Sequence, residues 1–188
     1  TQLAVDLAEE VERALGLRLS TISAGNSASL ALLLRGEMPA RATQLRVGGA
    51  ILIGEVDSTG DWPTAMPHQD AFVIWAPVIE VETKPSTPEG PVAPNAFGEV
   101  PVWPDKGLRR RAIVAAGRQD LLIESLVPHR PGVTIVGASS DHLVLDVTEA
   151  DPEVRLGEEL AFRPLYGAIA TGMASRAATH VVKPHAEG

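Results

Sequence analysis

Two short stretches decide the reading of the fold: Ser23-Ala24-Gly25-Asn26-Ser27-Ala28 and, further along, Leu45-Arg46-Val47-Gly48-Gly49. In the first, a β-like run hands over to a helical one through a polar turn at Gly25, Asn26 and Ser27. Ahead of the turn, Leu17, Leu19 and Thr21 alternate with Arg18 and Ser20, which predicts a strand over residues 17–23. Behind it, residues 28–35 read as a helix that Gly36 and Pro39 end. The second stretch lies in the apolar run 44–53, which predicts another buried strand leading into Gly54. A helical pattern precedes everything: Leu3, Leu7, Val11 and Leu15 recur every four residues, acidic side chains fill the other faces, and Gly16 closes it.

Helix, strand, helix, strand is the order of a parallel sheet or barrel. Two such units do not make a stable parallel sheet alone, because these sheets are covered on both faces. A complete (β/α)8 barrel takes roughly 250 residues, so the expectation is that residues 1–60 are its last two βα units. The chain opens inside a helical pattern without an initiator Met, which fits a trimmed or fragmentary sequence. From about residue 70 the rhythm changes. Apolar and polar residues alternate over 71–82, and further strands are expected at 110–116, 133–136, 143–147 and 159–162, with Gly and Pro between them. Residues 61–188 therefore read as an antiparallel β-domain, barrel or sandwich. The Pro-rich stretch 84–104 is too long for a simple connector and reads as a functional lid or a mobile excursion.

Composition narrows the classes. Hydrophobic residues make up 45% of the 188 and charged residues 21%, enough for a packed core and against disorder throughout. Sixteen basic against 24 acidic residues give −8, which argues against nucleic-acid or anionic-membrane partners while leaving room for a local phosphate site. There is no cysteine, hence no disulfide, thiolate nucleophile or cysteine metal site. No apolar run approaches the ~20 residues of a membrane span, and no signal peptide is visible; a cytoplasmic protein is expected.

The two opening stretches also suggest chemistry. Backbone N–H groups at a helix N-terminus, joined by a serine hydroxyl, form an anion site. Gly48 and Gly49 let a ligand approach the backbone without a Cβ in the way. In barrels, phosphate is often held by the loops after the last two strands. The plainer alternative is that Ser27 only caps a helix and the glycines only turn the chain. Arg46 between them favours a ligand.

Asn26-Ser27-Ala28 followed by Leu45-Arg46-Val47-Gly48 resembles the end of the fold-type III pyridoxal-phosphate barrel of alanine racemases. Thr83-Lys84-Pro85-Ser86, Asn95-Ala96-Phe97-Gly98-Glu99, Gly117-Arg118-Gln119-Asp120, Gly137-Ala138-Ser139-Ser140-Asp141-His142, Leu143-Val144-Leu145-Asp146-Val147 and Tyr166-Gly167-Ala168 resemble its ornithine racemase branch, in family order over nearly the whole chain. The resemblance implies a pyridoxal 5'-phosphate cofactor, a small amino-acid substrate and a homodimer with shared active sites. It implies that Asn26, Ser27 and the amides of Gly48 and Gly49 hold the cofactor phosphate, with the Tyr166 hydroxyl adding a bond. Arg46 would donate to the pyridine nitrogen. An arginine does not give up its proton, so that nitrogen would stay an unprotonated acceptor and the ring a weaker electron sink. An ion pair is the alternative for Arg46, and an ordinary buried aromatic for Tyr166.

Racemisation takes a proton from one face of Cα and returns one to the other. In the family, one face belongs to the cofactor lysine on an early barrel strand. Lys84, Lys106 and Lys183 are the only lysines, all outside the barrel-like region, so that lysine is missing from this chain. The other face belongs to a tyrosine in a Gly-Tyr-Ala-Asp type motif; the matching stretch reads Gly117-Arg118-Gln119-Asp120 and has no tyrosine. Asp141 and His142 are the remaining candidates, since His titrates near neutrality as a two-way proton carrier should; a surface turn is the alternative. The five histidines suggest no metal site. Metal-dependent aldolases and dehydratases of this fold type carry a ligand pair where this chain has Pro164-Leu165-Tyr166-Gly167, so they are the second choice, with a noncatalytic binding module third. A basic substrate would need a carboxylate for its side-chain amine, and Glu99, Asp105, Asp120 and Asp141 all qualify.

Overall fold

The computed structural model describes residues 1–54, 68–87, 90, 93–94, 98 and 104–183. Two compact units are present, Thr1–Ala71 and Phe72–Gly188. The expected boundary at 60/61 lies outside the described residues, as does most of the 84–104 stretch, including Glu99. No helix among the described residues is long and apolar enough to cross a membrane.

The first unit begins with α1 (Gln2–Leu15), closed by Gly16 in the left-handed conformation at φ 65°. The Leu3, Leu7 and Leu15 side chains that announce the helix are exposed (81, 59 and 67%), and it is Val5 that is buried. Val5 packs with Ile22 and Ala24 and with the partly buried Ala8, Leu19 and Ala42. Near its end, the Glu12 carboxylate accepts from the Leu19 amide and from Arg41, both at 2.6 Å. The Leu19 and Arg41 bonds hold the Glu12 carboxyl below the usual carboxylate range.

Beyond α1 the sequence reading needs correction. The strand expected over 17–23 forms later, as β1 (Ser23–Asn26), so that Gly25 and Asn26 belong to the strand and not to the turn. Residues 17–22 are tied down by side chains as well as backbone: the Leu19 amide donates to Glu12 and the Ile22 amide to the Thr43 hydroxyl at 2.9 Å, while the Ile22 carbonyl accepts from the Thr43 and Gln44 amides. A 3₁₀ turn (Ser27–Ser29) leads into α2 (Leu30–Leu34). β2 (Gln44–Arg46) pairs parallel with β1, Ser23 opposite Gln44 and Asn26 opposite Arg46. The run 44–53 is not one strand: it ends at Arg46, and Gly49–Ile53 is helical (α3). A short apolar run fits either structure. Gly48, at φ −121° and ψ −84°, breaks the strand and starts the helix.

The second unit is a six-stranded antiparallel sheet in the order β5-β8-β3-β4-β7-β6. Its strands are β3 (Ile74–Pro85), β4 (Leu108–Val114), β5 (Leu126–Pro128), β6 (Thr134–Ala138), β7 (Leu143–Asp146) and β8 (Glu159–Pro164). The antiparallel β-domain was legible in alternation; the short β5 was not expected. Period two places Ala76 and Val78, Ala112 and Val114, Leu143 and Leu145, and Leu160 and Phe162 on one buried face. The helix α4 (Tyr166–Gly172), also unexpected, adds Ala168 to this core. Outside the core, Arg130 grips Glu158 through two bonds of 2.7 and 3.0 Å, the fork geometry that makes such pairs strong. Arg109 binds the buried Asp146 at 2.8 Å.

Candidate functional site

Asn26, Ser27, Arg46, Gly48 and Gly49 come together in the first unit because both parallel strands end there. β1 ends at Asn26 and β2 at Arg46, which are paired residues. The carboxyl end of parallel strands is where such folds bind ligands. The Ser27 hydroxyl oxygen accepts from the Gly48 amide at 3.3 Å and lies 3.5 Å from the Ala50 amide that also donates to it. It thus occupies the position at the start of α3 where an anion's oxygen would be held. Asn26 does not point there: its Oδ1 accepts from the Ala28 amide at 3.0 Å and caps the 3₁₀ turn. Its role is to fix the serine that follows.

Close approach of the strands depends on Gly25. At φ 139° it holds a conformation that side chains rarely adopt, and a Cβ would come within 2.6 Å of Leu45 Cδ2. At Gly48, by contrast, a Cβ would meet open space. That opening leaves room for a ligand against the backbone. Arg46 is exposed and joins no ion pair among the described residues. The Ala50 amide is a donor that sequence reasoning missed, because it lay inside a run read as strand.

In the second unit the structure brings two sequence motifs into contact. The Arg118 amide donates to Ser139 O at 2.9 Å and the Gln119 amide to Ser140 O at 3.1 Å. Gly117 allows this: a Cβ there would lie 2.1 Å from Ser140 O. The turn at Ser139–His142 is also held locally, with Ser139 Oγ accepting from the amides of Asp141 (3.3 Å) and His142 (3.1 Å). Asp141 is exposed, and its carboxylate accepts from Gln119 Nε2 and, at 2.9 Å, from Ser140 Oγ. Neither oxygen bonds the imidazole, so Asp141 does not orient His142. The His142 side chain is exposed and makes no hydrogen bond among the described residues.

Arg118 is turned away from this pair. It binds Glu124 at 2.6 Å and donates through Nε to Ala138 O at 3.4 Å. Asp120 closes its own turn through the Gly117 amide at 3.3 Å and reaches Ser175 Oγ at 3.3 Å. Tyr166 opens α4 and is 58% exposed. Lys84 is committed to Glu80 and Glu82 on its own strand, which hold its ammonium above the usual lysine range.

No protein-family model matches the chain. Curated relatives do. Over 170 residues the chain is 40% identical to the ornithine racemase of Acetoanaerobium sticklandii, an alignment covering 90% of this chain and 48% of that protein. Over 183 residues it is 38% identical to the lysine racemase of Thermotoga maritima, covering 97% of this chain and 51% of that one. The chain spans about half the length of the curated relatives it matches. Among solved structures, the D-threonine aldolase from Filomicrobium marinum superposes with a TM-score of 0.54 at 24% identity, over 85% of this chain and 37% of that chain. The alanine racemase from Bartonella henselae superposes with 0.51 at 20%, over 83% and 42%. These two share the fold. Over the portion of their length that it spans, the chain is thus similar in sequence to the curated ornithine and lysine racemases and shares the fold of the alanine racemase.

Proposed function

We propose that the protein carrying this chain is a pyridoxal-phosphate-dependent racemase of an amino acid with a cationic side chain, and that residues 1–54 belong to the last two βα units of its (β/α)8 barrel. The observation that carries this reading is the cradle at the ends of β1 and β2, where Ser27 Oγ meets the amides of Gly48 and Ala50. The donor set suits a phosphate: a hydroxyl, amides at the start of a helix and an open face at Gly48. The barrel assignment is supported by the exposed apolar residues Leu3, Leu7, Leu15 and Ile51, since a parallel sheet is normally covered on both faces. Both curated relatives bear names of amino acids with a side-chain amine, which supports the substrate class.

Bound pyridoxal phosphate would supply an electron sink that acidifies the substrate's Cα–H. The chain's own residues do the rest. Ser27 and the amide of Gly49 would hold the phosphate, the amides of Gly48 and Ala50 hold the serine oxygen in place, and Asn26 fixes the serine through its cap. Arg46 would donate a hydrogen bond to the pyridine nitrogen and, keeping its own proton, would leave that nitrogen unprotonated. This limits side reactions that need a stronger sink. His142, in a homodimer, moves the proton on the Cα face opposite the cofactor lysine, which none of Lys84, Lys106 and Lys183 supplies. Tyr166 is assigned to the phosphate by the family resemblance. A metal-assisted aldolase is the weaker reading, because Pro164-Leu165-Tyr166-Gly167 offers no ligand pair after β8.

Ser27→Ala in the complete protein tests the cradle. Hydrogen bonds to a charged group contribute about 1.5–3 kcal/mol, so the cofactor dissociation constant should rise roughly 10- to 100-fold. Racemisation should return at saturating cofactor. Unchanged cofactor affinity would show that the phosphate binds elsewhere.

A further inference from the structure

We infer that Asp141 selects the substrate, by receiving the ammonium of its side chain; this rests on the racemase reading above. The candidates are the four carboxylates that a basic substrate would call on. Glu99 lies outside the described residues. Asp105 closes its own turn, accepting from the Gly107 amide at 2.9 Å and Ser86 Oγ at 3.2 Å. Asp120 does the same with Gly117 and Ser175. Asp141 differs in one respect: it sits beside His142, the proposed proton carrier.

The clamp on Asp141 is made only of neutral donors. Gln119 Nε2 holds one carboxylate oxygen and Ser140 Oγ the other, while the backbone bonds of Arg118 and Gln119 fix the two turns against each other. Four other acidic side chains on this unit are neutralised on the spot: Asp146 by Arg109, Glu158 by Arg130, Glu124 by Arg118 and Glu153 by Arg110. Asp141 takes part in no ion pair among the described residues. An oriented, exposed and uncompensated carboxylate is preorganised for a cation, because no local partner must be displaced and little motion remains to be lost. One short turn then carries the group that chooses the substrate and the group that moves its proton. Gln119 becomes a positioning residue, acting through Asp141.

The test uses the complete protein loaded with cofactor. KM values for L-ornithine and L-lysine are compared with the competitive inhibition constants of L-norvaline and L-norleucine, which have the same chains without the amine. In the wild type, the diamino acids should bind more tightly than their neutral counterparts. In Asp141→Asn the ratio of the inhibition constant to KM should fall on the order of 10- to 100-fold, the range for one hydrogen bond to a charged group. In Gln119→Ala it should fall less, and in the same direction. A ratio that stays at the wild-type value, whether or not turnover drops, would overturn the inference and leave Asp141 a structural or proton-transfer group. A wild-type protein that racemises neither diamino acid would instead refute the proposed function, which is a separate result.

Discussion

Replacing Gly117 by alanine probes the contact on which the second half of the site depends. The added Cβ would lie 2.1 Å from Ser140 O and 2.4 Å from Asp141 N, both backbone atoms. Ordinary contact begins at 3.4 Å, so one turn must retreat by more than an ångström. The bonds from the Arg118 and Gln119 amides, at 2.9 and 3.1 Å, do not survive such a shift. Losing two such bonds costs about 2 kcal/mol, and the overpacking adds about 1–3 kcal/mol. Reduced freedom of the unfolded chain offsets this by about 0.4–1 kcal/mol, leaving a net loss of roughly 2–5 kcal/mol. Urea unfolding followed by tryptophan fluorescence should show a lower midpoint with an unchanged slope. Gly137→Ala is the control: it lies in β6, where a Cβ meets nothing within 4 Å, so its stability should stay within about 0.5 kcal/mol of wild type. A Gly117→Ala midpoint as close to wild type as the control's would refute the contact between the two turns.

Three further outcomes are expected. In the complete enzyme His142→Asn should slow racemisation by ~10² to 10⁴, while one enantiomer still exchanges its α-proton with solvent; near wild-type exchange of both would place the base elsewhere. Arg46→Glu should shift product partitioning from racemisation towards transamination, because a carboxylate favours protonation of the pyridine nitrogen; unchanged product ratios with cofactor bound would show that Arg46 does not face the ring. The second unit should lose stability in acid. Burial pushes the Asp146 carboxyl up, but the bonds from Arg109 and Thr148 outweigh it and hold it below its ordinary value; the Arg130 fork holds Glu158 low. Carboxyls lowered on folding stabilise above their unfolded values, about 3.9 for Asp and 4.3 for Glu, and that contribution is lost as pH falls through the folded values. Urea midpoints between pH 6 and 2 should therefore decline with a steeper acid limb in wild type than in Asp146→Asn; parallel limbs would contradict this.

The sequence told more about the second unit than about the first, for physical reasons. Antiparallel strands with one buried face write their register into period two, as Leu143 and Leu145 or Leu160 and Phe162 show. β5 was too short to leave such a trace. In the first unit, Gly16 marked the end of α1 correctly, whereas the Leu3, Leu7 and Leu15 stripe says nothing of which face this unit buries. The run 44–53 misled because composition alone does not separate a buried strand from a short helix; only Gly48 hinted at the break. The proximity of Ser27 to Gly48 was legible because strand-to-helix junctions recur at the same end of a parallel sheet. The clamp on Asp141 was not. Gln119 and Asp141 are far apart in sequence, and nothing local in either motif announces that Gly117 lets them touch.

The most direct test of the central claim is racemisation in deuterium oxide. The complete protein with pyridoxal phosphate is incubated separately with L-ornithine and L-lysine, and enantiomer ratio and α-deuterium content are followed together. The account predicts that at least one of them approaches an equal mixture of enantiomers, with a single deuterium at Cα and an intact carbon skeleton. Cleavage of the Cα–Cβ bond, or substrate recovered as the L-enantiomer without deuterium, would contradict it.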